Sequence, residues 1–353
     1  MDIYLMDGLD GPSEIIDQFE SVIWTVQYSD LGELQLVLPA TDKNIDMIQT
    51  GLYLVRDFDC KPNEYQNVML IDRTELSYDV EDGWRITVSG KSLKYLMHRR
   101  IVWHNTTIDG NLEDGIRLVI DENCINPTNA NRKISDMIMT AKKNLTETVT
   151  DVQLFGEYID EWLVEICTQY ELGWEIYIKN GKYVFDLYQG VDRTYDQNVV
   201  LPVVFSPEFD NLQSSNYIRS IEEYCNAAVV AGEGEGATQR SVVIGDTSGI
   251  KRIETFIDGS SLVSDKIITL DVYLKMLEDY GKTEMANITA KIESFEGTIL
   301  SDGMYKLNRD YFLGDVVQIV NEHGIRATTR ISEIIYSEDE SGQLYTPTFS
   351  AWE

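Results

Sequence analysis

Histidine is the side chain that most often transfers protons and binds metals near neutral pH, and this chain of 353 residues has three: His98, His104 and His323. None of them lies beside a cysteine or within an H-E-x-x-H arrangement, the spacing that brings two imidazoles to one face of a helix for zinc. Helix-end or turn positions on a folded surface account for all three. The histidines therefore indicate neither a catalytic base nor a metal site.

The four cysteines, Cys60, Cys124, Cys167 and Cys225, lie far apart with no C-x-x-C spacing. We expect reduced, packed thiols of a protein made in a cytoplasm, and neither a disulfide framework nor a zinc site. No cysteine stands in a recognisable peptidase context, and no G-x-S-x-G elbow supplies a serine nucleophile. Paired carboxylates could hydrolyse glycosides, but 60 acidic residues make coincidental pairs common, so such pairs identify nothing.

The glycine-rich run Gly232–Gly236, Gly-Glu-Gly-Glu-Gly, invites comparison with a phosphate-binding loop. It lacks the Gly-Lys-Ser/Thr ending of a P-loop, and its two glutamates would repel phosphate. We interpret it as a flexible turn that follows the strand Ala227–Ala231 and joins one unit to an insertion. Asp57–Asp59 and Glu338–Glu340 lack the ligand count of a calcium loop and are expected to be solvated turns. No catalytic, cofactor-binding or metal-binding residue is therefore predicted.

The composition, 43% hydrophobic and 25% charged, is typical of a soluble globular protein, and the length suggests about two to four compact units. The 60 acidic and 29 basic residues give a formal net charge of −31. Such a surface repels phosphate backbones and anionic membranes, which argues against specific nucleic-acid binding. No apolar run approaches the roughly 20 residues of a membrane-spanning helix, and the start does not resemble a secretory signal.

The first 100 residues are expected to form an antiparallel barrel or sandwich. Apolar side chains occupy every second position in Leu34–Leu38 and Trp84–Val88, which buries one face of a sheet. Ser29–Gly32 breaks the pattern as a hairpin turn would. A short helix, Ser92–His98, follows the last strand.

Helical periodicity begins near residue 101. The predicted elements are helices at Asp109–Glu122 and Phe155–Tyr170, then strands at Trp174–Lys179 and Lys182–Tyr188. Asn180-Gly181 is a strong signal for a two-residue turn between those strands. Residues 101–202 are thus expected to form an α+β unit.

Beyond residue 202 the strand pattern returns and is interrupted by one long helical stretch. The predicted elements are strands at Tyr224–Gly232, Arg240–Gly245 and Arg252–Ile257, a helix at Leu270–Ala290, and strands at Lys291–Leu300, Gly314–Val320, Ile325–Tyr336 and Leu344–Trp352. Gly281 is expected to kink the helix or to reduce its stability by about 1 kcal/mol. No short-period repeat and no low-complexity linker is visible.

Several short runs resemble, in their order along the chain, the siphophage tail proteins found in prophages of Gram-positive bacteria. These runs are Arg99–His104, Asn126–Arg132, Phe185–Arg193, Phe205–Leu212 and Ala231–Gly236. Val88–Leu93 and Leu313–Val317 resemble elements common to tail hub proteins more broadly. The resemblance covers most of the chain, and its specificity lies in the order of motifs that are individually short.

The resemblance implies a β-rich α+β fold with two small antiparallel β-barrel tube domains plus two α+β decorating domains. The expected domains are a first barrel at 1–100, an α+β domain at 101–202, a second barrel at 203–232 and 298–353, and an inserted α+β domain at 233–297. The two barrels should superpose, and one continuous sheet through both regions would remove the main structural support for the assignment.

The resemblance also implies a baseplate hub, a structural protein and not an enzyme, located at the tail tip of the virion after assembly in the host cytoplasm. Three chains would form a homotrimer whose six barrels continue the six-fold tail tube and present a three-fold platform. Expected partners are distal tail and tail tube proteins and a spike or fibre protein. Genomic DNA would pass without specific binding, and neither a cofactor nor membrane insertion is expected.

Two alternatives stay open: a tail-borne cell-wall hydrolase or endopeptidase, and a host-carbohydrate-binding module in which some of the 6 Trp and 20 Tyr stack on sugars. Many relatives continue into a fibre, peptidase or lysozyme-like region, whereas this sequence stops after its last predicted strand. Functions of those extensions are therefore not carried over. A lumen lined by carboxylates that keep DNA off the wall is our hypothesis for a specific use of the acidity.

Overall fold

A computed structural model gives the structure of the chain and describes residues 1–81, 83–219, 224–260, 262, 269–290, 293–299 and 303–351. Its class is β-rich α+β, as the sequence predicts. The first elements are β1 (Ile3–Met6), β2 (Pro12–Ile16), β3 (Ser21–Gln27), β4 (Glu33–Pro39), α1 (Asp42–Met47), β5 (Tyr53–Arg56), β6 (Cys60–Lys61), β7 (Glu64–Tyr65), β8 (Met69–Asp79) and β9 (Gly83–Ser92). The short helix predicted after β9 is a 3₁₀ segment, Leu93–Arg99.

The middle of the chain alternates strands and helices. Its elements are β10 (Thr106–Asn111), α2 (Leu112–Ile120), β11 (Met137–Met139), β12 (Thr148–Leu154), α3 (Ile159–Gln169), β13 (Gly173–Lys179) and β14 (Lys182–Tyr188). Helix α2 begins after the predicted Asp109 because the preceding residues pair with β12. The Asn111 side chain then caps the helix and accepts a hydrogen bond from the Asp114 N–H at 3.1 Å.

Backbone conformation explains where α3 begins and how β13 turns into β14. The helix was predicted from Phe155, but Gly156 has a φ of 94°, which a right-handed helix does not allow, and α3 begins at Ile159. Asn180 and Gly181 have φ angles of 51° and 68°, so both lie in the left-handed region that a two-residue hairpin turn requires. The predicted turn is confirmed.

The last part of the chain contains the remaining strands and one long helix. Its elements are β15 (Val204–Phe205), β16 (Leu212–Arg219), β17 (Ala227–Ala231), β18 (Ser241–Ile244), β19 (Glu254–Asp258), α4 (Leu270–Ala290), β20 (Glu293–Ile299), β21 (Val316–Val320), β22 (Arg326–Asp339) and β23 (Gly342–Ala351). The bounds predicted for α4 are confirmed. The predicted strand ends at Lys291, Leu300 and Trp352 lie outside the described residues.

One sheet contains strands from both regions that were expected to form separate barrels. Its order is β15-β21-β22-β3-β4-β9-β8-β5-β1-β2, and β23 pairs with β22 outside this path. The link is the antiparallel pairing of Glu333–Glu338 in β22 with Val22–Gln27 in β3. Buried side chains on both sides of this link, among them Trp24 and Ile334, belong to one hydrophobic cluster. The expectation of two separate sheets is therefore wrong.

A second sheet joins the α+β unit to the first hundred residues. Its order is β11-β14-β13-β7-β6, so the small hairpin Cys60–Tyr65 extends the sheet of the middle region. The helices α2 and α3 pack on a cluster that also includes Val55 and Leu70 from the first region. The boundary predicted near residue 100 thus separates elements that share one core.

The inserted unit begins earlier than predicted. Strand β17 was assigned to the second barrel, but it pairs with β18 and β19 in a three-stranded sheet covered by α4. Strand β20, placed within the predicted insertion, pairs with β16 instead. Gly281 lies where α4 crosses the sheet, and a Cβ there would stand 2.3 Å from Val230 Cγ2. The glycine is explained by close packing, and the helix continues through it.

Candidate assembly site

The histidines lie at separate places on the surface. His98 ends the 3₁₀ segment, and its Nδ1 stands 3.1 Å from both carboxylate oxygens of the buried Asp160 in α3. Its ring stacks between Tyr95 and Tyr158, with centroid distances of 4.9 and 4.3 Å. His104 and His323 are exposed in loops. The helix-end prediction fits His98, whose contacts fasten the 3₁₀ segment to α3.

The cysteines are free thiols, as predicted, of which Cys124, Cys167 and Cys225 are buried and Cys60 is half-buried. Burial raises the pKa of the Cys124 and Cys167 thiols to about 12, and burial together with Asp59 raises that of Cys60 to about 11. Thiolate is the nucleophilic form, so these groups are inert at neutral pH. Among the described residues, no three His, Cys, Asp or Glu side chains are grouped so that they could hold a metal ion. The same residues contain no helix long and apolar enough to cross a membrane.

The glycine-rich run packs against α4 within the inserted unit. A Cβ on Gly232 would stand 2.3 Å from the Tyr273 hydroxyl, which accepts a hydrogen bond from the Glu233 N–H at 2.8 Å. Arg240 pairs with Glu233 at 2.6 Å and lies over the Tyr273 ring. The run joins β17 to β18, and the prediction that it leads from one unit into an insertion is wrong. Gly232 and Gly234 serve close packing, whereas Gly236 has open space around it and a φ of 54°.

Two of the motifs that carry the family resemblance are brought together in the middle region. The Arg132 guanidinium donates to the Ile101 carbonyl at 2.6 Å and lies over the Trp103 ring. Arg100 Nε in turn donates to the Arg132 carbonyl at 2.6 Å. The run Arg99–His104 is thus fastened to the run Asn126–Arg132 by reciprocal bonds. These residues have a structural role that the sequence did not reveal.

Two further motifs meet at Asp315, in the turn before β21. Asp315 is buried, and its carboxylate accepts hydrogen bonds from the Val191 N–H at 2.8 Å, the Phe312 N–H at 2.9 Å and Arg193 Nε at 2.5 Å. These bonds connect the run Phe185–Arg193 with the run Leu313–Val317. The α+β unit is therefore fixed to the C-terminal β region by a carboxylate with three donors.

Tyr28, at the end of β3, connects the N-terminal region to the same point. Its hydroxyl accepts from the Gly190 N–H at 2.9 Å and donates to the Glu171 carbonyl at 3.1 Å. Burial raises the pKa of this phenol, which keeps it neutral and able to donate. Arg330 lies over the Tyr28 ring and donates to the Gly314 carbonyl at 2.7 Å. All three regions thus meet around Tyr28 and Asp315, which we call the three-way junction.

Glycines allow the backbones to meet at the three-way junction. A Cβ on Gly190 would stand 1.7 Å from the Gly314 carbonyl oxygen, and a Cβ on Gly314 would stand 2.2 Å from the Tyr28 ring. An alanine at Gly190 would require backbone movement, and an alanine at Gly314 would have to displace the Tyr28 ring and adopt a φ of 91°. Close backbone approach explains the first glycine, and the Tyr28 ring together with the positive φ explains the second.

A buried lysine lies beside the three-way junction. Lys94 Nζ donates to the carbonyls of Gln27, Tyr28 and Asp30 at 2.8, 3.1 and 2.8 Å and lies over the Trp174 ring. Burial lowers the pKa of Lys94 to about 7 and raises the pKa of the nearby Glu175 carboxyl to about 7. The ammonium holds the loop after β3 in place, at a cost in desolvation.

The outer face of the large sheet is polar and carries charges of both signs. The strand register places on it acidic side chains that include Glu33, Glu75, Asp79, Glu333 and Asp339, and basic side chains that include Arg73, Arg85 and Lys91. Each cation is engaged: Arg73 with Glu75 and Arg85 with Glu20, both at 2.5 Å, and Lys91 over the Tyr95 ring. Ile23, Thr25 and Gln35 line a shallow depression of about 330 Å³ on this face.

The sequence pattern of the siphovirus ReqiPepy6 Gp37-like proteins matches residues 4–349 of the chain. The chain belongs to this family. The predicted resemblance to siphophage tail proteins is thereby confirmed. No curated protein matches the sequence.

Comparison with solved structures shows that this chain has the fold of prophage tail proteins. The 43 kDa tail protein of prophage MuSo2 from Shewanella oneidensis is 14% identical, with a TM-score of 0.62 over 99% of this chain and 98% of that one. A tail protein from Neisseria meningitidis is 13% identical, with a TM-score of 0.57 over 98% and 96%. Prophage tail protein gp18 from Listeria monocytogenes is 13% identical, with a TM-score of 0.54 over 100% and 96%.

Proposed function

We propose that this protein is a structural component of the tail tip or baseplate hub, a homotrimer that continues the six-fold tail tube. The family and the tail-protein fold support a place in the tail. The observation that carries the hub proposal is the repetition of one strand order in two β units of the chain, which the pairing of β22 with β3 joins edge to edge. A tube wall is a series of such joined units.

The two β units repeat one strand order, although the end strand pairs antiparallel in the first (β1 with β5) and parallel in the second (β15 with β21). In the N-terminal unit the order is β3-β4-β9-β8-β5-β1. In the C-terminal unit β16 pairs with β20, β20 packs alongside β23, and the path continues β23-β22-β21-β15. Two equivalent units per chain need three chains to match six-fold symmetry. A continuous sheet was expected to count against the hub, but β3 contacts only half of β22, so each unit keeps its own order.

The trimer would present a three-fold platform for a spike or fibre protein and contact distal tail and tail tube proteins on its other side. Its place would be the virion tail tip, after assembly in the host cytoplasm. We propose no catalytic role, because the thiols of Cys124 and Cys167 are buried and inert and His98 fastens two helical segments.

DNA would pass along the outer face of the large sheet without specific binding. Arg73 and Arg85 pair with carboxylates and Lys91 lies over an aromatic ring, so these cations are little available to bind DNA phosphates. Carboxylates on the same face, among them Asp79 and Asp339, support the acidic lumen that we hypothesise from the net charge. The remaining acidic residues then serve solubility on other surfaces.

Light scattering of the purified protein tests the hub proposal. Three copies carry a formal charge of −93, three times −31, so we expect association to strengthen with protein concentration and with salt. At about 1 M ionic strength the Debye length is about 3 Å, and a trimer should dominate. The measurement is repeated with the tail tube partner, which can template the ring. A stable two-fold dimer that persists with this partner would sink the proposal, since a two-fold axis cannot continue the tube.

A further inference from the structure

The two long hairpins of the large sheet are equivalent by more than strand order. In β8 the pairing with β9 shifts between Ile71 and Arg73, and the strand ends at Asp79. In β22 the pairing with β23 shifts between Ile331 and Glu333, and the strand ends at Asp339. The bulge stands at the same distance from the end of both strands. Residues 73–78 of β8 therefore correspond to residues 333–338 of β22.

The corresponding segments differ in what lies beyond them. Residues 333–338 pair with β3 on the side away from β23. Residues 73–78 pair with β9 only, and within the described part of the chain no strand lies on their other side. Every side chain from Asp72 to Asp79 is exposed. An unpaired edge of this length is a template for another strand.

The backbone groups of this edge point outward in a defined pattern. The Trp84 carbonyl accepts a hydrogen bond from the Ala40 N–H and therefore faces β4. The backbone groups of the residues next to Trp84 in β9 consequently face β8. Because groups in an antiparallel ladder alternate in direction, Thr74, Leu76 and Tyr78 direct their N–H and C=O groups to the open side. Their counterparts in β22 are the residues that bond to β3.

The core side of the hairpin tip is apolar and uncovered. Leu76, Tyr78 and Trp84 are 51%, 58% and 56% exposed, although they lie on the same sheet face as the buried Ile86. At the position equivalent to Leu76, Tyr336 is only 7% exposed, because Phe58 and Arg56, which also lies over the ring of Trp24 in β3, pack against its ring. The N-terminal hairpin thus has the apolar face of a junction without the partner.

We propose that residues 73–78 of β8 pair antiparallel with β16 of a second copy of this chain, as residues 333–338 pair with β3 within one copy. This inference rests on the proposed trimer and specifies its contact. Strand β16 holds in the C-terminal unit the place that β3 holds in the N-terminal unit, and no described strand pairs with its outer edge. Three intramolecular and three intermolecular junctions then close a six-part ring.

Substitutions on the β8 edge test the pairing in the full chain. Thr74→Pro removes one outward N–H at an edge position that tolerates proline, and Leu76→Glu places a charge on the apolar face. Each should weaken trimer formation at least about tenfold while the thermal transition stays close to that of the wild type. Thr74→Val keeps the N–H and should assemble normally. Val243→Pro and Val243→Glu make the same changes on the exposed edge strand β18 and should also assemble.

Hydrogen exchange separates failure of this contact from failure of the hub. In the trimer, peptides covering residues 72–80 and 212–219 should both gain protection relative to the monomer, whereas residues 333–338 should be protected in both states. A trimer in which residues 72–80 exchange as in the monomer would overturn the pairing and leave the hub proposal standing. If no trimer forms under any condition, including with the tube partner, both proposals fail.

Discussion

The three-way junction and the inserted unit are held by different kinds of contact. At the junction, buried polar groups from three regions bond to one another, and glycines let their backbones approach. The inserted unit has its own small apolar cluster, centred on Val230, Tyr273 and Leu277, between its sheet and α4. The junction should therefore hold the rest of the molecule, the described residues outside 220–292, together as one body, which we call the frame. The inserted unit should fold and unfold independently of it.

Loss of the junction carboxylate should have the largest effect. Asp315→Ala leaves the Arg193 guanidinium and two backbone N–H groups buried without their acceptor. We expect a loss of about 3–5 kcal/mol in the free energy of unfolding, measured by urea denaturation. Asp246→Ala, an exposed carboxylate that follows β18, is the control and should change it by less than about 0.5 kcal/mol. Equal losses would show that the two regions are not held differently.

Added methyl groups sharpen the comparison. Gly190→Ala drives a Cβ against the backbone of Gly314, which cannot move aside, and should cost about 2–3 kcal/mol of global stability. Gly281→Ala meets the Val230 side chain, which can shift, and gains about 1 kcal/mol of helix propensity. Its smaller effect should be confined to the insertion. Hydrogen exchange by mass spectrometry checks this: global deprotection in the Gly281 variant would contradict it.

The pH dependence of stability should come from the frame. Glu175 titrates near pH 7 when folded and near its ordinary value of 4.5 when unfolded, so the folded state binds more protons between these values. Its contribution therefore falls as pH rises from about 4.5 to about 7. Burial lowers the pKa of Lys94 from 10.5 to about 7, so the unfolded state binds more protons between these two values. The stability contribution of Lys94 therefore rises as pH rises from about 7 to about 10.5.

Glu175→Gln should therefore melt at a higher temperature than the wild type at pH 8 and at nearly the same temperature at pH 4.5. Melting curves across this range check the difference between the two proteins. Glu254→Gln, an exposed carboxylate in the inserted unit, is the matched control and should leave the profile unchanged. If the melting temperature of the Glu175 variant equals that of the wild type at every pH, Glu175 does not cause the pH dependence.

Local signals predicted much of the fold, and distant contacts explain what was missed. The Asn180-Gly181 turn and the helix Leu270–Ala290 depend on turn chemistry and periodicity, which neighbouring residues determine. The β3–β22 junction depends on segments from opposite ends of the chain, and nothing local marks which edges meet. The same holds for Asp315: its motif was noted, but its three donors come from residues that only the fold brings near.

Removal of the insertion should have the smallest effect and tests the comparison most directly. Arg219 and Glu293 are cross-strand partners in the β16–β20 pair, so the chain leaves and re-enters the C-terminal unit at adjacent points. Replacing residues 220–292 by Asn-Gly closes that pair with a two-residue turn. The shortened protein should melt within a few degrees of the wild type and keep its junction. Because the apolar cluster of the insertion includes no buried residue of the frame, its removal exposes little of the remaining core. Calorimetry decides the matter: loss of the cooperative transition of the frame would show that the insertion is part of it.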